Sequence, residues 1–376
     1  MVASSWIPDQ DVRGCHERHG GLYCARSVHR DVCTCARLRC VEGMEYSTRM
    51  IPYARHEITS DDEAAVLRVL RSERLTQGPE VEAFEADLCA VTGARYAVCV
   101  ASGTVALELA YAAIGGPVEF RCPTITFMAT VNAAQWIGER VHFYDNTLGH
   151  TPSGLVIAVS LGGDVWECGT IHDAAHSLGA RPTLLPAGTL CATLSFHPAK
   201  HVACGEGGAV LTDNSDLNRR IRLYRDHGCT IENGHRTQQT LGTNARMSEL
   251  AAALGRSQLT RLAENVAKRR AIAALYDEAF GPLAVPHGPG SARHLYQIRV
   301  PAEVRDTVRQ KLAADGVGTQ VHYPCVHLQP YWGYPVGTFP HAERYAAEVI
   351  SLPLYPTLTH AEIDHVRRSV LQHLDG

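Results

Sequence analysis

One lysine stands out by its setting. Lys200 lies in Ser195-Phe196-His197-Pro198-Ala199-Lys200, at the end of an apolar run and just ahead of the small-residue loop Gly205-Glu206-Gly207-Gly208. A lysine held there on a rigid sheet loses its hydration, its pKa falls, and the neutral amine becomes a nucleophile able to form a Schiff base with a carbonyl. The alternative is a solvated surface charge, the usual fate of a loop lysine. Asp173, in His172-Asp173-Ala174-Ala175-His176-Ser177, closes a second apolar run, and the alanines after it leave room for something flat. Ser102-Gly103-Thr104 closes a third run and opens a helical pattern. Its glycine admits a close backbone approach, and the first N–H groups of a helix attract a phosphate. Taken singly, Asp173 also fits a turn and Ser102 a simple helix cap.

Together the three match what pyridoxal phosphate (PLP) requires. A carboxylate opposite the pyridine nitrogen keeps it protonated, and the protonated ring withdraws electrons from the carbanion left when a substrate loses its proton.

The elements that must position these groups read as an α/β layer sandwich. Apolar runs at Tyr96 to Val100, Val141 to Tyr144, Leu155 to Leu161, Thr193 to Phe196 and Ala209 to Leu211 alternate with helical or loop segments, the signature of a largely parallel sheet covered by helices. Helices are expected from Ser60 to Arg71, with acids in the first turn, and after Pro79, with Val81, Phe84 and Leu88 on one stripe. One long helical stretch is expected from Leu250 to Phe280, then short strands around His294 to Val300 and Gly318 to His322. Thr359-His360-Ala361-Glu362 resembles a capping box opening a last helix. The expected organisation is an atypical leader over 1–49, a large α/β domain over 50–250, and a linking helix with a smaller α+β domain over 251–376.

The 376 residues carry 35 Lys+Arg against 39 Asp+Glu, a formal charge of −4 that offers no basic excess to a nucleic acid or an anionic membrane. No apolar run is long enough to span a bilayer, and Arg13, Glu17 and Arg18 break up the start of the chain where a signal peptide would be apolar. The expected location is cytoplasmic. Five of the 13 cysteines (Cys15, Cys24, Cys33, Cys35 and Cys40) fall in the leader, together with His16, His19 and His29. Two readings of that leader stand: a zinc-bearing interaction module, for which the Cys33 and Cys35 spacing fits no standard ligand pattern, or a disordered or non-native extension before a domain starting near Met44 or Met50. No metal is assigned. The other cysteines, such as Cys99 in Ala97-Val98-Cys99-Val100, read as reduced core residues.

From about Ile51 onward the chain resembles the DegT/DnrJ/StrS-type PLP-dependent sugar aminotransferases. The resemblance is carried by Leu75-Thr76-Gln77-Gly78-Pro79, Ser102-Gly103-Thr104-Val105-Ala106-Leu107, Asp173-Ala174-Ala175-His176, the Lys200 stretch, Gly205-Glu206-Gly207-Gly208-Ala209-Val210, Arg225-Asp226-His227-Gly228 and Asn244-Ala245-Arg246-Met247. It implies the fold-type I architecture, with Lys200 holding PLP as a Schiff base and later shuttling a proton. It also implies Asp173 on the pyridine nitrogen, His176 beside the phenolic oxygen, and Phe127 stacked on the ring. Ser102, Gly103, Thr104 and Ser195 would hold the phosphate. Asn244 would reach the phosphate of a neighbouring subunit's cofactor, so a homodimer with shared sites is implied. Thr76, His322 and Tyr323 are expected substrate contacts, although a His-Tyr pair on a β-strand needs no function. Leu75-Thr76-Gln77-Gly78 together with Gln320-Val321-His322-Tyr323 and Val326-His327-Leu328-Gln329-Pro330-Tyr331 looks most like the transaminases of the pseudaminic-acid pathway, which use a UDP-linked 4-keto sugar. GDP- or dTDP-linked sugars and a non-catalytic PLP-binding paralogue stay open. In a family variant a histidine replaces the lysine and the chemistry becomes dehydration; here the lysine is present and transamination is expected, with glutamate the usual donor.

One stretch departs from the family. Only Gly162 to Thr170 joins the run at Leu155 to Leu161 to the one ending at Asp173, whereas a parallel crossover normally takes a dozen or more residues with a helix. The sheet is therefore expected to be trimmed, re-ordered or partly exposed there.

Overall fold

A computed structural model describes residues 50–116, 118–145, 153–166, 169–180 and 184–374. The Cys- and His-rich leader, with both of its readings, lies outside the described residues. Two helices open the described chain. α1 (Ser60–Leu70) starts from Thr59, whose hydroxyl accepts the Asp62 N–H while the Asp62 carboxylate accepts the Thr59 N–H. α2 (Pro79–Thr92) has Pro79 in its first turn and buries Val81, Phe84 and Leu88. Its start is capped from a distant part of the chain. The buried Glu249 carboxylate accepts the N–H groups of Gly78, Glu80 and Val81 at 2.9, 2.9 and 3.0 Å, which fixes the Thr76–Gly78 turn.

The central unit runs β1 (Tyr96–Val100), α3 (Gly103–Ile114), β2 (Glu119–Pro123), α4 (Met128–Trp136), β3 (Arg140–Tyr144), β4 (Leu155–Val159), β5 (Ile171–Asp173), β6 (Cys191–Ser195), β7 (Gly208–Thr212) and α5 (Ser215–Arg225). The seven strands form one sheet in the order β1-β7-β6-β5-β4-β2-β3. β7 runs antiparallel to β1 and β6, and every other pairing is parallel. An exposed hairpin, β8 (Cys229–Glu232) with β9 (His235–Gln238), leads to α6 (Glu249–Leu259) and α7 (Leu262–Phe280). These two were expected as one stretch. The chain breaks at Thr260–Arg261, where Arg261 leaves helical geometry and its guanidinium bonds Asp62 at 2.8 Å. The chain closes with β10 (Tyr296–Arg299), α8 (Ala302–Ala314), α9 (Pro340–Glu348), β11 (Val349–Leu352) and α10 (His360–Leu374). Thr359 and Glu362 make the expected capping box. No strand forms at 318–322: Gln320 makes only an isolated bridge to Ser351.

The pleat sorts the sheet into two faces. Val98, Phe120, Val141, Ile157, Ile171 and Val210 share one face and pack under α3, α4 and α5. Ala97, Ala192, Leu194 and Leu211 share the other, under α2, α6 and α7. A third cluster joins Tyr276 and Phe280 of α7 to Tyr296, Ile350 and Val366.

The expected anomaly between β4 and β5 is real, and all seven strands survive it. The two strands pair in parallel across a connector whose described residues carry only the short 3-10 turn Leu161–Gly163. Gly162 and Gly163 have φ of 75° and 111°, which lets the chain reverse where a side chain would be strained. Among the described residues no helix covers the β2 and β3 end of that face. There the strands present Glu119, Arg121, Arg140 and His142, all exposed, with His142 Nε2 3.4 Å from Glu119 Oε2. The face left bare is thus a polar one, which water can solvate.

Candidate active site

The C-terminal ends of the parallel strands open into a cavity of about 1160 Å³ that brings together Ser102, Gly103, Thr104, Phe127, Asp173, His176, Ser195, Lys200, His322 and Tyr323. Ser102 is the N-cap of α3, its hydroxyl accepting the Val105 N–H at 3.2 Å. That leaves the first-turn N–H groups of Gly103 and Thr104, which have no partner within the helix. The backbones here are pressed together. A Cβ on Gly103 would lie 2.7 Å from Ser195 Cβ, and one on Gly208 would lie 2.4 Å from the Ser102 carbonyl oxygen. Both glycines are therefore set by the close approach of α3 to β6 and β7.

Asp173 ends β5 and is buried. Its Oδ2 accepts the Thr130 hydroxyl at 2.7 Å, and its Oδ1 accepts the Ala175 N–H at 3.3 Å. Burial raises its pKa, against the lowering effect of those two bonds and of Lys200. Burial pushes the Lys200 amine down to about 8, with Asp173 as the opposing influence. An amine that burial makes easier to deprotonate and a carboxylate that burial makes harder to ionise therefore face one cavity. A protonated pyridine would pair with that carboxylate, Lys200 would supply the covalent link, and the α3 N-terminus would take a phosphate; the donor set fits PLP.

His176 is buried too, and burial followed by the nearby Lys200 drives its pKa well below the usual histidine range. Its ring lies 4.1 Å from the His294 ring, centroid to centroid, and its Nε2 is 3.3 Å from the Tyr323 hydroxyl. Phe127 is half exposed at the start of α4, with its ring 5.7 Å from Tyr323. His322 bonds Ser351 Oγ at 2.8 Å and is pushed down to about 4 by burial. Thr76 and Asn244 are exposed and outside the cavity; Thr76 bridges to Ser248, and Asn244 to Asp226.

Sequence reasoning missed Thr130 and His294. The sequence carries a trace of Thr130: Thr126 and Thr130 are one helical turn apart, and their hydroxyls meet at 2.6 Å. His294 follows the α7 helix by more than ten residues, and nothing local marks it. The seven described cysteines are free thiols, five of them buried.

A mostly parallel seven-stranded sheet with one antiparallel strand, carrying lysine and aspartate at its C-terminal edge, defines a fold-type I PLP enzyme. Residues 56–150 and 163–371 match the DegT/DnrJ/EryC1/StrS aminotransferase family, and the chain belongs to it. It is a PLP-dependent sugar aminotransferase. Among similar solved structures is Helicobacter pylori PseC, an aminotransferase involved in the biosynthesis of pseudoaminic acid, at 26% identity and TM-score 0.81, covering 87% of this chain and 100% of that one. S. venezuelae DesV, solved with a ketimine intermediate, is 29% identical at TM-score 0.79, covering 88% and 100%. DesI, solved in the presence of its TDP-sugar product, is 30% identical at TM-score 0.76, covering 88% and 93%.

Proposed function

We propose that this chain transfers an amino group from L-glutamate to the 4-keto carbon of a nucleotide-linked 4-keto-6-deoxy sugar. The product we assign is UDP-4-amino-4,6-dideoxy-N-acetyl-β-L-altrosamine. The single observation behind the reading is the pairing of a buried Asp173 with a pKa-lowered Lys200 in one cavity. PLP bound there supplies the electron sink for the reacting carbon. Lys200 Nζ holds the cofactor and then carries the proton between the two carbons that exchange it. Asp173 pairs with the ring nitrogen, and His176 sits beside the phenolic oxygen. Phe127 covers the ring, while Ser102, Gly103, Thr104 and Ser195 take the phosphate.

Asn244, exposed on this chain, reaches the phosphate site of a second copy, and the active unit is a cytoplasmic homodimer. Thr76, His322 and Tyr323 contact substrate. No described helix is long and apolar enough to cross a membrane.

The UDP preference draws on the likeness to PseC and on the Gln320-Val321-His322-Tyr323 stretch. A second reading, a TDP-linked sugar, draws on DesI. The test offers the PLP-loaded protein glutamate with UDP-, dTDP- and GDP-linked 4-keto sugars and follows the amino-sugar product by mass spectrometry. Product from the UDP sugar alone supports the first reading. Product from the dTDP sugar alone supports the second. No product from any sugar overturns the proposal.

A further inference from the structure

The shortened connector reaches into the site itself. The Gly162 N–H points at His176 Nδ1 across 3.4 Å. An accepting Nδ1 assigns the ring proton to Nε2, which lies 3.3 Å from the Tyr323 hydroxyl. The Tyr323 oxygen then accepts from His176, and its own O–H is left to donate into the cavity that both residues line.

Gly162 is held firmly in place. Its carbonyl accepts the His294 N–H at 2.8 Å, and that of Gly163 accepts the Ala292 N–H at 2.9 Å. The Asp164 carboxylate accepts from His287 Nδ1 at 2.9 Å and from the Gly288 N–H at 3.1 Å, and its carbonyl accepts the Ser177 hydroxyl at 2.8 Å. Only glycine fits at 162, where φ is 75° and a Cβ would come within 2.4 Å of His287 Cε1.

We propose that Gly162, clamped by Asp164, is a positioning residue: it keeps the His176 proton on Nε2 and so turns the Tyr323 O–H toward an oxygen acceptor of the bound substrate. The inference rests on the aminotransferase reading of the cavity. It gives the residues that replace a crossover helix a part in the chemistry, as a clasp between the His176 loop and the 287–295 segment.

Asp164→Ala should loosen the clasp while leaving the cavity side chains unchanged, and Asp164→Asn, whose amide oxygen still accepts the Gly288 N–H and whose amide N–H can donate to a neutral His287 Nδ1, should restore it. Nitrogen NMR of histidine-labelled protein without cofactor reads the His176 tautomer independently of turnover. The expected result is Nε2–H in the wild type and in Asp164→Asn, with Nδ1–H appearing in Asp164→Ala. In the sugar half-reaction, Tyr323→Phe should lower kcat by at least about tenfold with KM little changed. Asp164→Ala should slow the wild type but add nothing to Tyr323→Phe. Nδ1–H in the wild type, an unchanged tautomer in Asp164→Ala, or additive rate losses would overturn the inference. A wild type that takes up PLP but never turns over sinks the functional reading instead, and the NMR result then judges the clasp alone.

Discussion

Thr130 on α4 donates its hydroxyl to Asp173 Oδ2 at 2.7 Å, tying a helix to the one carboxylate that ends β5. Burial already raises the Asp173 pKa, and the Thr130 bond is among the interactions that hold it down. Thr130→Val keeps the shape and removes the donor, so the carboxylate becomes harder to ionise and pairs less well with a ring nitrogen. PLP affinity, followed by absorbance titration, should fall about tenfold, the worth of one such bond, and Thr130→Ser should recover it. Equal affinity in Thr130→Val would refute the role.

Lys200 sets a pH dependence with a definite sign. Its pKa is lowered from 10.5 to about 8 in the folded chain. Between those values the unfolded chain holds the extra proton, so folding stability rises with pH from about 8 to about 10.5. The amine attacks only when neutral. PLP capture should therefore speed up about tenfold per pH unit below about 8 and level off above it. His201 and His322, pushed down to about 3 and about 4, stay neutral throughout that range. Stopped-flow capture rates that stay flat from about pH 6 to about pH 8 would contradict this assignment.

Adjacent residues of β2 should respond very unequally to truncation. Phe120 is fully buried against Tyr111, with ring centroids 4.8 Å apart, while Arg121 faces water on the bare side of the sheet. Phe120→Ala should cost about 3–5 kcal/mol and Arg121→Ala less than about 0.5 kcal/mol in urea denaturation. Comparable losses would mean that the Arg121 face is covered after all.

Glu249 caps α2 across the fold. Removing its carboxylate strands the N–H groups of Gly78, Glu80 and Val81. Glu249→Ala should lower stability by about 2–3 kcal/mol in the same assay, and Glu249→Gln by less. An unshifted midpoint for the alanine variant would show that water replaces the cap freely.

Lys200, Asp173 and the Ser102-Gly103-Thr104 turn could be found in the sequence because each sits where an apolar run stops and small residues begin. Local pattern records such places directly. Thr130 and His294 could not be found this way, since their partners, Asp173 and His176, are brought to them by tertiary packing. The fold divides along the same line. Six of the seven sheet strands were read from apolar runs, the one ending at Asp173 included, but β2 was missed, because Phe120 and Cys122 alternate with Glu119 and Arg121 and give no continuous run. The antiparallel direction of β7 leaves no mark in local pattern. The β4-to-β5 connector was recognised as too short for a helical crossover; its solution depends on Gly162 and Gly163 turning tightly and on the polarity of residues in β2 and β3, far from the connector in sequence.

The central claim is tested most directly by the visible absorption spectrum of the purified protein with PLP, before and after L-glutamate, with Lys200→Ala alongside. The wild type should develop the absorption band of lysine-bound PLP, and glutamate should replace it with that of the cofactor's amine form, while Lys200→Ala does neither. A wild type without the band, or a Lys200→Ala protein that shows the same band and the same response, would contradict the account.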